Sequence, residues 1–383
     1  MVKEEILDLR LLAPDARLAL ASTPRWKARF FTIWTGQAFS LVGSALVQFA
    51  LIWWLTETTG SAKTLALATS ASLIPTILLG PFAGTLVDRW PRKGVLIVSD
   101  GLIALLTALL GALFWLDVAQ AWHVYAILLL RSLADCFQTP AMTSTTALMV
   151  PHDQLQRVAG MNATLQGAIR FAAPPLGALL LAVVNVRGIL PLDVVTAGFA
   201  ILPLFFIDIP QPPARAPAGA GLRSVVQGFA AGVSYVWNRP GLRFLSATAA
   251  LWSLTLQPII AFLPLLVREH FGGGALQLGW MQSASGIGMI AGGVLLSVWG
   301  GFVRRMTTSV TGTFINALGL LVVSFAPANA LWVGIVGCAI CGVAMAMHGS
   351  GLRATQQAVV PPEMQGRYFT IDQSVFSATG PLA

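Results

Sequence analysis

The stretch Gly80–Leu96, GPFAGTLVDRWPRKGVL, decides how the rest of the chain is read. An apolar run ends at Gly80 and Gly84, Asp88 follows alone, then come Arg89, Arg92 and Lys93, and apolar sequence resumes at Val95. The pattern predicts a tight charged loop between two hydrophobic helices. In lipid, helix association rests on packing, and small residues allow close backbone approach, so Gly80 and Gly84 are expected at a helix contact. The basic cluster is expected to hold the loop on the cytoplasmic side of a membrane. Asp88 can accept hydrogen bonds from a neighbouring helix N-terminus, where the dipole favours an anion. A purely topological anchor made of the basic residues is the plainer alternative.

Working outward, the 383 residues are 56% hydrophobic and only 10% charged, against roughly 25% charged in soluble domains. The chain is therefore expected to be a polytopic membrane protein, all α-helical. A net charge of +8 does not point to nucleic acid, because the basic residues are scattered between apolar stretches of about 20 residues. Cys136, Cys338 and Cys341 lie inside apolar stretches, so no disulfide framework is expected, and Cys338-x-x-Cys341 reads as packing on one helix face. Residues 1–29 lack the central apolar run of a cleavable signal peptide.

Spans are expected at about Phe31–Leu55, Thr64–Val87, Val95–Leu116, Trp122–Thr145, Ala159–Val184 and Gly188–Ile207. Residues 208–223, rich in proline, alanine and glycine, read as a semi-flexible linker. Ser224–Asn238 has the pattern of an amphipathic surface helix. Four more spans follow at about Leu242–Val267, Leu276–Trp299, Thr307–Phe325 and Ala330–Gly351. Basic residues collect in the loops around 25–29, 89–93, 157, 215–223, 239, 304–305 and 367, against Lys63, Arg187 and Arg268 on the other side. By the positive-inside rule the N-terminus and the linker are cytoplasmic.

The chain also repeats. A shift of 210 residues sets Val150-Pro151, Asp153 and Arg157 on Val360-Pro361, Glu363 and Arg367, and one near 212 sets Arg92 and Lys93 on Arg304 and Arg305. The second copy of the charged loop has Gly300 opposite Asp88. Ala383 corresponds to Ala173, midway along the fifth span. On that register the chain is expected to end inside an eleventh helix, about 40 residues short of twelve spans.

Read as Gly84-x-Leu86-x-Asp88-Arg89-x-x-Arg92-Lys93, the opening stretch resembles the loop between helices 2 and 3 of the major facilitator superfamily of secondary transporters, with Pro91 where the family usually has glycine. The resemblance implies two six-helix halves, 1–207 and 224–383, joined by the linker 208–223, the second incomplete. It also implies that Asp88, Arg89 and Arg92 help latch the halves on the cytoplasmic side. Trp34–Ser40, Arg131-Ser132-Leu133, Gln138–Ala141 and the two Val-Pro loops resemble the drug-exporting branch that includes bacterial macrolide efflux proteins and enterobactin exporters.

Nothing in the sequence resembles a hydrolytic or redox centre. There is no phosphate-binding loop for ATP, His123, His152, His270 and His348 are too dispersed for a metal site, and no cofactor is expected. Ionisable groups inside a span are functional candidates by default. Arg131 and Asp135 lie mid-way along the fourth span, four residues apart and on one face, where they are expected to pair. Asp135 is expected to be the only carboxylate near mid-depth in the fully assigned spans, and Arg170 lies at similar depth in the fifth span. Gln37, Gln48, Gln166, Gln257 and Gln282 add polarity to an otherwise apolar cavity. The resemblance makes Arg131 the fourth-helix arginine tied to proton exchange in antiporters. It also makes Pro174, Pro175 and Gly177 a partial match to the kinked antiporter signature of the fifth helix. A structural ion pair and an ordinary proline kink are the alternatives.

The expected activity is export of amphipathic small molecules, macrolide-like drugs or similar, by proton antiport in a monomer embedded in the cytoplasmic membrane. An uptake permease or siderophore exporter of the same fold, or an uncoupled membrane scaffold or lipid-handling protein, would share the same sequence features.

Overall fold

The computed structural model describes residues 26–87, 90–151, 154–209 and 233–360, together with Tyr368, Asp372, Ala378 and Thr379. Their secondary structure is α-helical, without strands, as long apolar runs require: in lipid a helix satisfies every backbone polar group within the segment. Helix α1 is Trp26–Thr59, α2 Ala62–Val87, α3 Arg92–Trp115 and α4 Ala121–Met149. Leu155–Phe206 is continuous except at Asn185, whose φ of 56° turns the chain, and it is treated as α5 (155–184) and α6 (186–206). Then follow α7 Pro240–Glu269, α8 Ala275–Trp299, α9 Arg305–Ser324 and α10 Leu331–Val359.

Each of the ten expected spans coincides with one of these helices. Every helix except α4 belongs to a segment long and apolar enough to cross a membrane; α4 is the helix that carries both Arg131 and Asp135 at its centre. Asp88, Arg89, most of the linker, most of the expected surface helix and most of the start of an eleventh helix lie outside the described residues, although residues 233–237, Asp372, Ala378 and Thr379 are helical.

Glycines set the helix spacing, but Gly80 of the opening stretch is not one of them among the described residues. A Cβ built on Gly80 would meet only Thr76 of its own helix, so the close contact expected there is not made. Close contacts lie elsewhere. Gly36 and Gly43 of α1 sit against Phe199 and Thr196 of α6, and Gly288 and Gly342 place the backbones of α8 and α10 in direct contact. On α9 and α10, a Cβ at Gly312 or Gly351 would stand 2.6 Å from the backbone nitrogen of His348 or Ser309.

Successive helices alternate in direction, so loops such as 60–61 and 270–274 fall at one end and loops such as 90–91 and 300–304 at the other. At the first end an apolar cluster joins α1, α5, α7, α8 and α10 through Phe49, Trp53, Ala178, Val267, Leu278 and Cys338. There Arg268 at the end of α7 donates to the Thr56 carbonyl at the end of α1. At the opposite end, among the described residues, the buried clusters each come from one half: Ile33, Val87, Leu96, Met149 and Leu204 in the first, and Leu242, Leu245, Leu352 and Tyr368 in the second. Among the described residues, a buried cluster thus crosses between α1–α6 and α7–α10 at one end and none does so at the other.

Candidate functional site

Two polar networks lie inside the first half, where the surroundings are apolar and every polar group needs a partner. In the first, Arg131 of α4 donates to Asp193 of α6 at 2.6 Å, with both side chains buried. The same guanidinium reaches Thr107 of α3 and, at 3.0 Å, Ser44 of α1. Ser44 and Thr107 in turn donate to the two Asp193 oxygens at 2.9 and 2.8 Å. Four helices meet on one ion pair, and Asp193 accepts from three side chains.

In the second, closer to the end that bears Arg92 and Lys93, Asp100 of α3 is 1% exposed. It accepts from Gln37 of α1 at 2.6 Å and from Gln138 of α4, and Gln138 also donates to Gln37 at 3.2 Å. Gln37 and Gln138 form the inner wall of a cavity of about 180 Å³ closed by Trp34, Met142, Asn162 and Gln166. Across it, the Trp34 indole donates to Asn162 at 2.7 Å, tying α1 to α5.

Asp135 stands apart from both networks. The expected Arg131–Asp135 pair is not formed: the guanidinium turns across the bundle to Asp193, whose oxygens are held in place by two hydroxyl groups, a better partner than a carboxylate on its own helix. Asp135 is exposed and makes no hydrogen bond or ion pair with the described residues. Its spacing of four from Arg131, three from Gln138 and seven from Met142 puts it on the face of α4 that lines the cavity. It also lies within electrostatic range of Arg131, Asp193 and Asp100.

Sequence reasoning missed Asp100 and Asp193. Each is a lone carboxylate within an apolar run, in IVSDGLI and ILPLDVV, so the rule that selected Asp135 applied to both, and Asp135 is not the only carboxylate deep in the spans.

The remaining candidates scatter. Gln48 is exposed on α1, and Gln257 is half-buried in α7. Arg170 is exposed to a second cavity of about 280 Å³ between α5 and the second half, which Gln282 also lines. The backbone stays helical through Pro174 and Pro175, the sole non-helical residue of that segment being Asn185. Pro174, Pro175 and Gly177 work as packing surfaces: Gly279 of α8 lies against both prolines, and the Phe49 ring against Gly177. In the charged loop, Arg92 is buried, whereas Lys93 donates to the Phe205 carbonyl at 3.3 Å and lies 4.0 Å from Asp208, holding α3 to the end of α6. The backbone of Gly84 is helical.

Comparison with known proteins gives consistent results. The family model described as Major Facilitator Superfamily matches residues 33–383. Macrolide efflux protein A of Streptococcus pyogenes is 31% identical over 361 residues, covering 93% of this chain and 88% of that protein. Multidrug efflux pump Tap of Mycobacterium tuberculosis is 25% identical over 360 residues, covering 92% and 84%. Among solved structures, a bacterial homologue of the human lysosomal transporter Spinster, captured inward-facing and unoccupied, superposes with a TM-score of 0.72 at 14% identity, over 94% of this chain and 82% of that one.

Proposed function

Since the chain belongs to the major facilitator superfamily, we propose that it is a secondary active exporter of amphipathic small molecules, macrolide-like compounds among them, driven by proton antiport. The drug-efflux relatives support export. The alternating-access reading is supported by a buried cluster that crosses between α1–α6 and α7–α10 at one end while the described residues form none at the other, as expected of a midplane site that opens to one side at a time.

The observation that carries the coupling is Asp135. It is an exposed carboxylate at mid-helix, on the α4 face that bears the cavity-lining Gln138 and Met142, with its neighbouring cation committed to Asp193. A group so placed can exchange a proton with cavity water without breaking a structural ion pair. With the basic loops on the cytoplasmic side, the end that bears them opens inward. Asp135 gives up its proton to the cytoplasm, cargo enters, the halves rock, and a proton from outside reloads the carboxylate as cargo leaves. Arg131, Asp193, Ser44 and Thr107 keep α1, α3, α4 and α6 moving as one body. On this reading 1–207 and 224–383 are the rocking units, 208–223 the tether, and Asp88, Arg89 and Arg92 the inner latch of a monomer.

Expression in a host stripped of its own pumps tests the proposal. The wild-type chain raises the macrolide concentration that arrests growth, and Asp135→Asn at equal membrane abundance does not. Equal resistance from both would remove Asp135 from the coupling role.

A further inference from the structure

Arg170 sits near the middle of α5, an expensive position for a cation unless it faces a partner or a water-filled cavity. It is exposed, and it makes no hydrogen bond or ion pair with the described residues. What it faces is the 280 Å³ cavity whose other walls come from the second half: Leu256, Ile260 and Leu263 of α7, Met289 of α8 and Met345 of α10, with Gln282 as a second polar group. A guanidinium presents five donors in a fixed fork and no acceptor, and pairs best with planar, oxygen-rich groups.

The backbone that carries the guanidinium is held against α8. Phe171, the next residue, is pinned to α8: Ser283 donates to its carbonyl at 3.0 Å, and a Cβ on Gly286 would lie 3.1 Å from its Cα. One turn on, a Cβ on Gly279 would lie 3.1 Å from the Cα of Pro175. Gly279, Ser283 and Gly286 thus form a stripe of small residues that fixes α5 against α8 and aims Arg170 into the space between the halves.

We propose that this cavity seats the oxygen-rich part of the cargo. Carbonyl, hydroxyl or carboxylate oxygens of an amphipathic molecule accept from Arg170 and Gln282, and its apolar body lies on the Leu, Ile and Met wall of α7, α8 and α10. The inference rests on the exporter reading and names its substrate class. It selects acceptor-rich compounds over aromatic cations that lack acceptors, which the guanidinium repels.

Binding to the full chain in lipid nanodiscs separates the two claims, with radiolabelled erythromycin, rich in lactone, ketone and hydroxyl oxygens, and ethidium, an aromatic cation without acceptor oxygens. Losing charge-assisted hydrogen bonds costs about 1.5–3 kcal/mol, so Arg170→Met weakens erythromycin binding roughly tenfold or more and leaves ethidium binding unchanged or tighter. Arg170→Lys keeps part of the erythromycin affinity, and Gln282→Leu gives a smaller loss in the same direction, serving as the test if Arg170→Met does not fold. Unchanged erythromycin affinity in these variants, equal losses for both probes, or a wild-type chain that does not bind erythromycin overturns the seat. Arg170-dependent binding without export would instead keep the seat and remove the exporter reading.

Discussion

At the residue scale, the ion pair and the free carboxylate on α4 should separate under substitution. Removing one partner of a buried pair leaves the other uncompensated, at about 3–5 kcal/mol. Arg131→Gln, which strands Asp193, is therefore expected to lower the folded yield and the melting temperature, and Arg131→Gln with Asp193→Asn to recover much of both. Thermal unfolding of detergent-purified protein checks this; a double variant no more stable than the single would contradict it. Asp135→Asn is expected to melt like wild type and yet lose gradient-driven efflux, while retaining exchange down a cargo gradient, because the amide resembles the protonated acid but releases no proton. The position of Arg131 in the span was legible in the sequence, but its partner was not. Spacing of four shows that Asp135 is near, whereas the preference for Asp193 depends on hydroxyls brought from α1 and α3 by tertiary packing.

At the element scale, the ten spans were readable because each is an apolar run bounded by charge or by proline and glycine, and a membrane leaves such runs one conformation. Which glycines make contacts was not readable: Gly80 sits in as suggestive a spacing as Gly279 or Gly286, and only the packed neighbour tells them apart. The seams differ in what they permit. Gly342 faces the Ser285 backbone within the second half, where a methyl group has no room and a rigid neighbour cannot yield. Gly342→Ala is expected to abolish most folded protein, read by fluorescence-detected size exclusion. Gly286 faces Phe171 across the seam between halves at 3.1 Å. Gly286→Ala is expected to leave folded yield near wild type and to slow transport several-fold, as sliding of α5 on α8 is hindered. The reverse order of folded yields would contradict the assignment of the two seams.

At the scale of the whole molecule, the basic residues Arg92, Lys93, Arg304 and Arg305 lie at the end where no buried cluster of described residues crosses between α1–α6 and α7–α10, and the other end carries the Arg268–Thr56 contact. Single cysteines at Lys63 and Arg268 are expected to react with an impermeant thiol reagent in intact cells, and one at the exposed Arg304 only after the cells are opened. Labelling of position 304 from outside would invert the orientation. The repeat of about 210 residues was legible in the sequence, whereas the end at which one cluster gathers Trp53 of α1 and Leu278 of α8 is revealed by no single helix.

The central claim, export paid for by protons through Asp135, is tested most directly in everted membrane vesicles given an inwardly acid pH gradient, by following labelled erythromycin into the lumen. Wild-type vesicles are expected to accumulate it, to lose it when the gradient is collapsed by nigericin, and to show no gradient-dependent accumulation with Asp135→Asn. Accumulation that survives nigericin, or that proceeds equally well in Asp135→Asn vesicles, would contradict the claim.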